Sequence, residues 1–387
     1  MLSNLKLRIN KWQSPKSLGL SRPVVLLQSD DWGRVGVRDR EGFEELRKAG
    51  VPLGQQAYDF YTLETAEDVS ALHELLLRHR DSTGRAPCVV MNFVVANVDF
   101  QKTAADAARK IHLLPLAEGL PGKWKRPGLF DSYRKGIAAG TFFPAMHGTT
   151  HFCRSAIERA LESNDKSMAL LRTLWDSETP YIYWRMPWVG YEYWNPERKR
   201  FLNASQQEKL IRESAELFHK MFGVPALSAC APGYRANEDT YRAWRMCGIR
   251  IVQNGSGGSV PTYVDNQGML RIYRNVDFEP ATDGPSFSLE RCLQQARQSL
   301  NRGMPAVVSV HAINFHSSLR DFRTPTLNLL DQFLTVLEAE YPNLLYVHDA
   351  DLYQMAGHPM DKDLPRSVDL AATRQAAVLE TTAKGSL

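Results

Sequence analysis

The 387-residue sequence has few cysteines, no long hydrophobic run and no large excess of either charge sign. Its five cysteines stand far apart without a C-x-x-C pair, which argues against a disulfide framework and favours a reducing compartment. No stretch approaches the roughly 18 consecutive apolar residues of a membrane span, so no transmembrane helix is predicted. The segment 1–20 lacks the apolar core of a signal peptide, and we therefore expect a cytoplasmic location.

Charge and composition exclude further classes of protein. The chain has 47 Lys and Arg against 43 Asp and Glu, a net charge of +4, which gives no bulk electrostatic reason to bind nucleic acid. Hydrophobic residues make up 43% and charged residues 23%, as in a globular protein rather than a disordered one. Because a domain averages about 150 residues, the length allows two or three domains or one large α/β barrel.

Short apolar runs alternate with longer helical patterns along most of the chain. Eight runs are predicted strands: 23–28, 87–95, 142–146, 226–230, 249–253, 269–275, 305–311 and 344–347. Ten segments are predicted helices: 40–49, 66–80, 100–113, 129–139, 153–162, 166–176, 205–222, 238–247, 288–301 and 325–340. Strands separated by helices indicate βα units and a parallel sheet. We therefore predict an α/β fold, a distorted (β/α) barrel of about seven or eight strands.

The predicted barrel covers residues 23–357. An N-terminal extension is expected over 1–22, and a loosely ordered tail over 358–387, where the pattern fades. The segment 181–200 is rich in Trp, Tyr and Pro and has no clean period, so we interpret it as an insertion. Its aromatic side chains would either line a substrate groove or pack against one another, because sugar-binding and buried aromatics look alike in sequence.

Two adjacent carboxylates, Asp30 and Asp31, follow the first predicted strand. Active sites of α/β barrels lie at the carboxyl ends of the strands. Two like charges side by side are unfavourable unless a cation or a proton compensates them, so one Asp is a candidate metal ligand and the other a candidate base. A simple turn over residues 29–33 would also account for the pattern.

Two histidines four residues apart, His147 and His151, follow the predicted strand 142–146. On a helical turn this spacing directs both imidazoles to the same side, an arrangement common in zinc sites. Asp31 would complete a set of three protein ligands, the number typical of a catalytic metal site. Cys153 is a competing ligand by position, although a free cysteine more often packs as a small hydrophobic side chain.

Two later strands end in further candidate groups. After the strand 226–230, Gly233 and Tyr234 are candidate oxyanion donors through their backbone N–H groups, and Arg235 is a candidate partner for a carboxylate. His311 ends the strand 305–311 and is a candidate general acid, although a lone histidine is often structural. Three residues are candidates for holding its imidazole in one tautomer: Asn275, Asp277 and Glu279.

The order of these clusters resembles the polysaccharide deacetylase family (NodB-like, carbohydrate esterase family four) over about residues 23–352. Residues 29–33 stand where that family has its Thr-Phe-Asp-Asp-Gly-type motif. The resemblance implies that Asp30 is the general base and that Asp31 is a metal ligand. It also implies the NodB-like form of the distorted barrel.

Two more motifs extend the resemblance. The spacing of His147 and His151 is similar to the family's His-Ser/Thr-x-x-His motif, which implies that both are metal ligands. The strand that ends in His311 is similar to the family's apolar strand with a terminal catalytic histidine. The resemblance therefore implies that His311 is the general acid.

The sequence departs from the family pattern at two motifs. Residues 230–234 align with the Arg-x-Pro-Tyr motif, but Cys230 stands in place of the arginine that steadies the base, and Arg235 is a candidate to replace it in space. The Asp-x-x-Asp-Trp motif is missing where residues 253–255 stand. The group that orients the catalytic histidine is therefore left open.

The resemblance implies a metal-dependent hydrolase that removes an N-acetyl or O-acetyl group from a sugar or polysaccharide precursor. It implies one divalent ion, Zn²⁺ first, with Co²⁺, Ni²⁺ or Fe²⁺ as alternatives. The expected partner is an acetylated sugar or polysaccharide, with no nucleic acid and no membrane span. Three alternatives remain: a glycoside hydrolase of the same superfamily, another metal amidase or esterase, and a carbohydrate-binding protein with a degenerate site.

Overall fold

The structure is a computed structural model that describes residues 18–106, 110–162, 166–257 and 260–357. The expected extension 1–22 lies largely outside these residues, and the expected tail 358–387 lies wholly outside them. Within the described ranges, no helix combines the length and the apolar character needed to cross a membrane.

Strands and helices alternate along the chain. The strands are β1 Val24–Trp32, β2 Val89–Phe93, β3 Ala96–Val98, β4 Leu113–Pro115, β5 Phe142–Met146, β6 Trp194–Asn195, β7 Arg200–Phe201, β8 Ser228–Cys230, β9 Ile251–Ser256, β10 Tyr263–Val264, β11 Leu270–Arg274, β12 Val276–Asp277, β13 Ala306–His311 and β14 Leu345–Val347. The helices are α1 Arg40–Lys48, α2 Ala66–Leu76, α3 Phe100–Ala105, α4 Leu129–Ala138, α5 Arg154–Glu162, α6 Lys166–Asp176, α7 Ala204–Phe222, α8 Glu238–Met246, α9 Pro280–Asp283, α10 Leu289–Leu300, α11 Arg323–Glu340 and α12 Asp349–Met355.

Each predicted strand and each predicted helix corresponds to an element of the fold, with two notable differences in extent. The first strand continues to Trp32 and so includes both carboxylates. The helix expected over 100–113 ends at Ala105, and residues 113–115 instead form β4, which pairs with β3. The helix predicted over 205–222 begins one residue earlier, at Ala204, and the side chain of Asn203 caps it.

In the described part of the chain, ten strands form one mostly parallel sheet around β1. The hydrogen-bonded order is β10-β11-β9-β8-β5-β2-β1-β13-β12, and β14 also pairs with β1. The pair of β10 and β11 is antiparallel, whereas the pairs that β1 makes are all parallel. The carboxyl ends of the strands beside β1 therefore meet at one edge, as the sequence predicts.

The two sides of the sheet curl toward each other at Asn275. This residue alone separates β11, which pairs with β9, from β12, which pairs with β13. The Asn275 side chain accepts a hydrogen bond from Val307 N–H at 2.9 Å and donates one to the Pro305 carbonyl at 3.0 Å. The fold is therefore a distorted barrel in which one amide side chain spans the break in the ladder.

Alternate residues of β1 face two apolar layers. Val25 and Leu27 belong to the large cluster between the sheet and the surrounding helices. Val24 and Leu26 belong to a second cluster on the inner side, which also contains residues of α12. From Gln28 onward the inner positions are polar but still buried, so the apolar interior gives way to a polar one toward the carboxyl ends.

We expect Asn275→Ala to lower the free energy of unfolding by about 1–3 kcal/mol, because Val307 N–H and the Pro305 carbonyl lose their partner. Urea denaturation followed by circular dichroism measures this change. Asn266→Ala, at an exposed turn position, is the matched control and should stay within about 0.5 kcal/mol of the parent. Equal urea midpoints of unfolding for the two variants would show that the Asn275 side chain does not stabilise the junction between β11 and β12.

Candidate metal and acid–base site

A cavity of about 280 Å³ lies at the carboxyl ends of the strands. It is lined by all five residues expected as ligands, base and acid: Asp30, Asp31, His147, His151 and His311. Gly233 and Tyr234 also line it, whereas Arg235 is exposed and is not among the lining residues. The structure therefore brings these five side chains together at the carboxyl ends of the strands, as expected.

A bulge near the end of β1 brings two consecutive side chains into the same cavity. In a regular strand neighbouring side chains point to opposite faces. The register between β1 and β2 shifts between Ser29 and Trp32, and Asp31 has a φ of 75°, in the left-handed region. Bulges of this kind re-aim side chains beside active sites. Asp30 and Asp31 consequently both line the cavity.

The two expected histidine ligands lie on a loop and not on the helical turn that their spacing suggested. Gly148 and His151 have φ values of 79° and 67°, which a right-handed turn does not allow. The loop is held by His147 N–H, which donates to the Phe93 carbonyl, and by Thr149 N–H, which donates to the buried carboxylate of Glu192.

Asp31, His147 and His151 present one ligand atom each to a common point. Oδ1 of Asp31 lies 3.5 Å from Nε2 of His147 and 3.2 Å from Nε2 of His151. This oxygen is buried and receives no hydrogen bond from the described residues. A buried carboxylate oxygen without a donor is unfavourable unless a cation satisfies it. The three ligand atoms therefore fit a divalent metal ion.

The other ring nitrogen of each histidine already has a partner. Nδ1 of His147 lies 3.0 Å from the Cys230 carbonyl oxygen, and Nδ1 of His151 lies 2.9 Å from the Tyr181 hydroxyl. Such contacts orient the rings and leave Nε2 for a metal. Burial lowers the pKa of His151 to about 3, so this imidazole is neutral and its Nε2 lone pair is available.

Arg34 holds the second oxygen of Asp31. Its guanidinium donates to Oδ2 of Asp31 at 3.0 Å and to the Tyr181 hydroxyl at 2.8 Å, and it lies over the ring of Tyr61. Burial alone would raise the pKa of Asp31, but Arg34 and the two histidines hold it well below its usual range. The carboxylate is therefore ionised, as a metal ligand must be.

Arg274, which the sequence reasoning missed, pairs with the expected base. Its two terminal nitrogens donate to Oδ2 and Oδ1 of Asp30 at 2.8 and 2.5 Å, a bidentate pair that is almost fully buried. Asn92 and the Tyr234 hydroxyl donate to the same carboxylate. Burial alone would raise the pKa of Asp30, but Arg274, His147 and His311 hold it well below its usual range.

This arrangement corrects the expectation for Arg235. Its guanidinium lies over the ring of Trp194, on the outside of the cavity. Among the described residues, the arginine that pairs with Asp30 is Arg274, at the end of β11. Cys230 lies next to this ion pair, with its Sγ 4.0 Å from the Arg274 guanidinium. The end of a predicted strand was the signal that could have singled out Arg274.

Two cysteines that could compete for a metal are unsuited to it. Cys230 forms a second close group with Asp30 and His147, but burial raises the pKa of its thiol well above the ordinary value. Asp30 is already paired with Arg274, whereas Oδ1 of Asp31 has no donor among the described residues and is the better position for a cation. Cys153 is buried with its Sγ against Ser155, and burial raises its pKa as well. Neither thiol is in the ionised form that binds metals.

Glu279 is the candidate that orients His311. Its Oε1 lies 2.6 Å from Nδ1 of the imidazole, while Nε2 lies 3.9 Å from Oδ2 of Asp30. Burial alone would lower the pKa of His311, but Glu279 and Asp30 raise it to about 9. The imidazole is therefore protonated at neutral pH. Asn275 and Asp277, the other candidates, are engaged in the strand pairing and with α10.

The two candidate oxyanion donors differ in their availability. Tyr234 N–H already donates to the Ala231 carbonyl at 2.8 Å, so this backbone group is not free. For Gly233 N–H the structure describes no acceptor, and this residue lines the cavity. Gly233 has a φ of 58°, and a Cβ there would clash with the ring of Tyr191, so only glycine fits.

The aromatic segment 181–200 divides between the two roles that the sequence left open. Four of its aromatic side chains line the cavity: Tyr181, Tyr183, Trp184 and Tyr191. Others pack away from it, including Tyr193 in the main core and Trp194 against Phe201. The candidate ligands are held in place by hydrogen bonds that involve Arg34, Tyr181 and Glu192. The sequence does not indicate these contacts, because they join distant parts of the chain.

No family model and no curated protein matches the sequence. Among solved structures, the chain is similar to a putative polysaccharide deacetylase from Mycobacterium smegmatis, with 12% identity, a TM-score of 0.46, and coverage of 89% of this chain and 94% of that chain. It is also similar to a family 4 carbohydrate esterase from Streptomyces lividans in complex with acetate (12% identity, TM-score 0.36, 84% and 91% covered). A third is a CE4 family pseudoenzyme from Bacillus anthracis (11% identity, TM-score 0.36, 86% and 66% covered). These names belong to the family that the motifs resemble, and similarity of this size assigns no activity to this chain.

We expect Arg274→Leu to lower the free energy of unfolding by about 3–5 kcal/mol, because it leaves the Asp30 carboxylate buried without its cation. Adding Asp30→Asn should recover part of this loss, since the unpaired charge is then removed. Arg235→Leu, at the position that the sequence favoured, should change stability by less than about 0.5 kcal/mol. Urea denaturation of the three variants measures these effects, and equal losses for Arg274→Leu and Arg235→Leu would contradict the pairing.

We expect Glu279→Gln to bring the pKa of His311 down from about 9 toward its ordinary value of 6.5. Because the folded-state pKa is raised, the Glu279 contact stabilises the fold fully below about pH 6.5 and loses this effect as the pH rises through about 9. NMR titration of the imidazole and unfolding at several pH values measure both changes. Glu216→Gln, exposed on α7, is the control; an unchanged His311 titration in Glu279→Gln would refute the assignment.

Proposed function

We propose that the protein is a metal-dependent hydrolase that removes an acetyl group from a sugar or polysaccharide precursor. One observation carries the proposal: the ligand atoms of Asp31, His147 and His151 converge in a cavity that Asp30 and His311 also line, with Nε2 of His311 3.9 Å from Oδ2 of Asp30. Three metal ligands, a base and an acid are the groups that hydrolysis of an amide or ester needs. We also propose that the barrel over 23–357 is the catalytic unit.

Asp31, His147 and His151 would hold a divalent cation, with Zn²⁺ as the first candidate and Co²⁺, Ni²⁺ or Fe²⁺ as alternatives. Two imidazoles and one carboxylate are a ligand set that these ions accept. Such a cation lowers the pKa of water and polarises a carbonyl group. Arg34 keeps Oδ2 of Asp31 engaged, so that Oδ1 alone faces the histidines.

Asp30 acts as the base in this scheme. It accepts a proton from the water whose oxygen forms the new C–O bond at the acetyl carbon. Arg274, Asn92 and Tyr234 hold its carboxylate in place, which orients the oxygen that receives the proton. The negative charge that develops on the former carbonyl oxygen would be met by the free N–H of Gly233.

His311 acts as the acid. Its Nδ1 faces Glu279, so the proton on Nε2 is the one directed at the cavity. Nε2 donates that proton to the leaving nitrogen or oxygen as its bond to the acetyl carbon breaks. The products are acetate and the free amino sugar or alcohol, and Asp30 and His311 then exchange their protons with solvent.

The charge states of the cavity argue against a glycoside hydrolase. That reaction uses a pair of carboxyl groups, of which one is protonated and serves as the acid. Asp30 and Asp31 are the carboxyl groups among the residues lining the cavity, and the pKa of each is held below its usual range. The protonated group is instead an imidazole. A degenerate site is also disfavoured. Cys230 stands where the family motif has an arginine, but Arg274 supplies a guanidinium to Asp30 instead.

We expect His147→Ala and His151→Ala to lose stoichiometric Zn²⁺ and activity together. Asp30→Asn should keep the metal and lose about 10²- to 10⁴-fold of its activity, the usual contribution of a general base. Elemental analysis and equilibrium dialysis measure the metal, and acetate release from N-acetylated and O-acetylated sugars measures the activity. His219→Ala, on the exposed face of α7, is the matched control and should change neither.

Three results would overturn the proposal. Full metal occupancy in both histidine variants would remove the ligand assignment. A new reducing end without free acetate would replace the deacetylase by a glycoside hydrolase. Saccharide binding with neither metal nor acetate release would identify a binding protein with a degenerate site.

A further inference from the structure

Two aromatic segments that line the cavity are joined by hydrogen bonds. Tyr58 and Tyr61 belong to the first segment, and residues 181–184 and Tyr191 belong to the second. Between them, Asp59 accepts hydrogen bonds from Trp184 Nε1 at 3.2 Å and from the Arg185 guanidinium at 3.2 Å. We call these contacts the Asp59 bridge.

The Asp59 bridge is a rigid connection. The Asp59 side chain is fully buried, and its Oδ2 also accepts the backbone N–H groups of Gly54, Gln55 and Gln56. The Arg185 guanidinium also donates to the Pro52 carbonyl. Charge-assisted hydrogen bonds of this kind fix geometry as well as adding stability. The two segments are therefore held together.

A contact between the two segments that line a cavity bears on which saccharides can enter it. An internal unit of a polymer has neighbours on both sides, so its binding needs a groove open at both ends. A terminal unit, or a free sugar, needs an opening on one side only. The volume of about 280 Å³ lies at the lower limit of the roughly 300–1,000 Å³ of pockets for drug-sized ligands.

The lining chemistry suits one sugar ring. The rings of Tyr183 and Tyr191 stack at 5.0 Å, and those of Tyr58 and Tyr61 stack at 6.0 Å, which gives two aromatic walls that also carry hydroxyl groups. Aromatic faces cover the apolar face of a sugar, and hydroxyls meet its polar edge.

We propose that the cavity accepts a free or terminal acetylated sugar unit and that the Asp59 bridge excludes internal units of a longer chain. This inference rests on the proposed function for its reaction, but the binding geometry stands apart from catalysis. Arg185 and Asp59 are specificity-determining residues in this view. Neither lies within the set that binds the metal or moves protons.

In the first experiment, the full-length wild-type protein is loaded with Zn²⁺. It is then incubated with acetylated amino-sugar oligomers of one to six units. Mass spectrometry after partial reaction should show acetyl loss at one terminal unit only. Loss from internal units of the hexamer would overturn the proposal. Because this experiment uses the wild-type protein, its result does not depend on whether any variant folds.

The second experiment measures binding without turnover. For Asp30→Asn, calorimetry with the same oligomers should give a Kd that changes by less than about threefold from dimer to hexamer. Each further occupied subsite worth about 1.4 kcal/mol would instead tighten the Kd about tenfold, which would overturn the proposal. If no substrate releases acetate but the Kd is independent of length, the proposed function fails and the single-unit cavity stands. Absence of binding for every oligomer overturns both.

The third experiment opens the bridge. Arg185→Met combined with Trp184→Phe keeps the size of both side chains and removes both donors to Asp59. This double variant should raise internal acetyl loss from the hexamer by about tenfold or more, within the range of steric discrimination by a pocket. Arg198→Met, at an exposed position of the same segment, should leave the pattern unchanged. Continued exclusion of internal units by the folded double variant would show that the bridge does not set the specificity.

Discussion

Two adjacent carboxylates buried in one cavity are the constraint on which the rest of this structure depends. An ionised group in a protein interior is strongly unfavourable unless it is paired. Asp30 is paired with Arg274 from β11, and one oxygen of Asp31 is paired with Arg34. The other oxygen of Asp31 faces two imidazole nitrogens and receives no hydrogen bond from the described residues. Arg274 therefore pairs with the Asp30 carboxylate and Arg34 with Oδ2 of Asp31. Oδ1 of Asp31 is the oxygen left for a cation.

Local backbone strain supports the same site. Of the five non-glycine residues with positive φ in the described part of the chain, three line the cavity: Asp31, His151 and Tyr234. Such conformations cost about 1–3 kcal/mol each and persist only where the surrounding structure fixes them. Here the fixing contacts are buried, namely the Tyr61 hydroxyl on the Asp31 carbonyl and the Glu192 carboxylate on the histidine loop. Strain at three cavity positions is typical of a functional site.

Most of the fold and the five central side chains were predictable because they follow from local patterns. Apolar runs indicate strands, and parallel strands bring their carboxyl ends to one edge, which placed Asp30, His147 and His311 together. The bulge at Asp31 and the non-helical histidine loop were not predictable, since both depend on positive φ at single residues. The link from Asp59 to Arg185 was not predictable either, because it joins segments more than a hundred residues apart.

The cation beside Asp30 comes from β11 and not from position 230, where a cysteine stands. Asp30 requires a cation because it is buried, but that requirement does not specify which strand supplies it. The carboxyl ends of β8 and β11 both reach the Asp30 carboxylate, as the positions of Cys230 Sγ and the Arg274 guanidinium beside it demonstrate. A guanidinium from either strand satisfies the same charge. Burial of Asp30 therefore requires a positive charge beside it, and the sequence position of that charge follows from the packing of the strands.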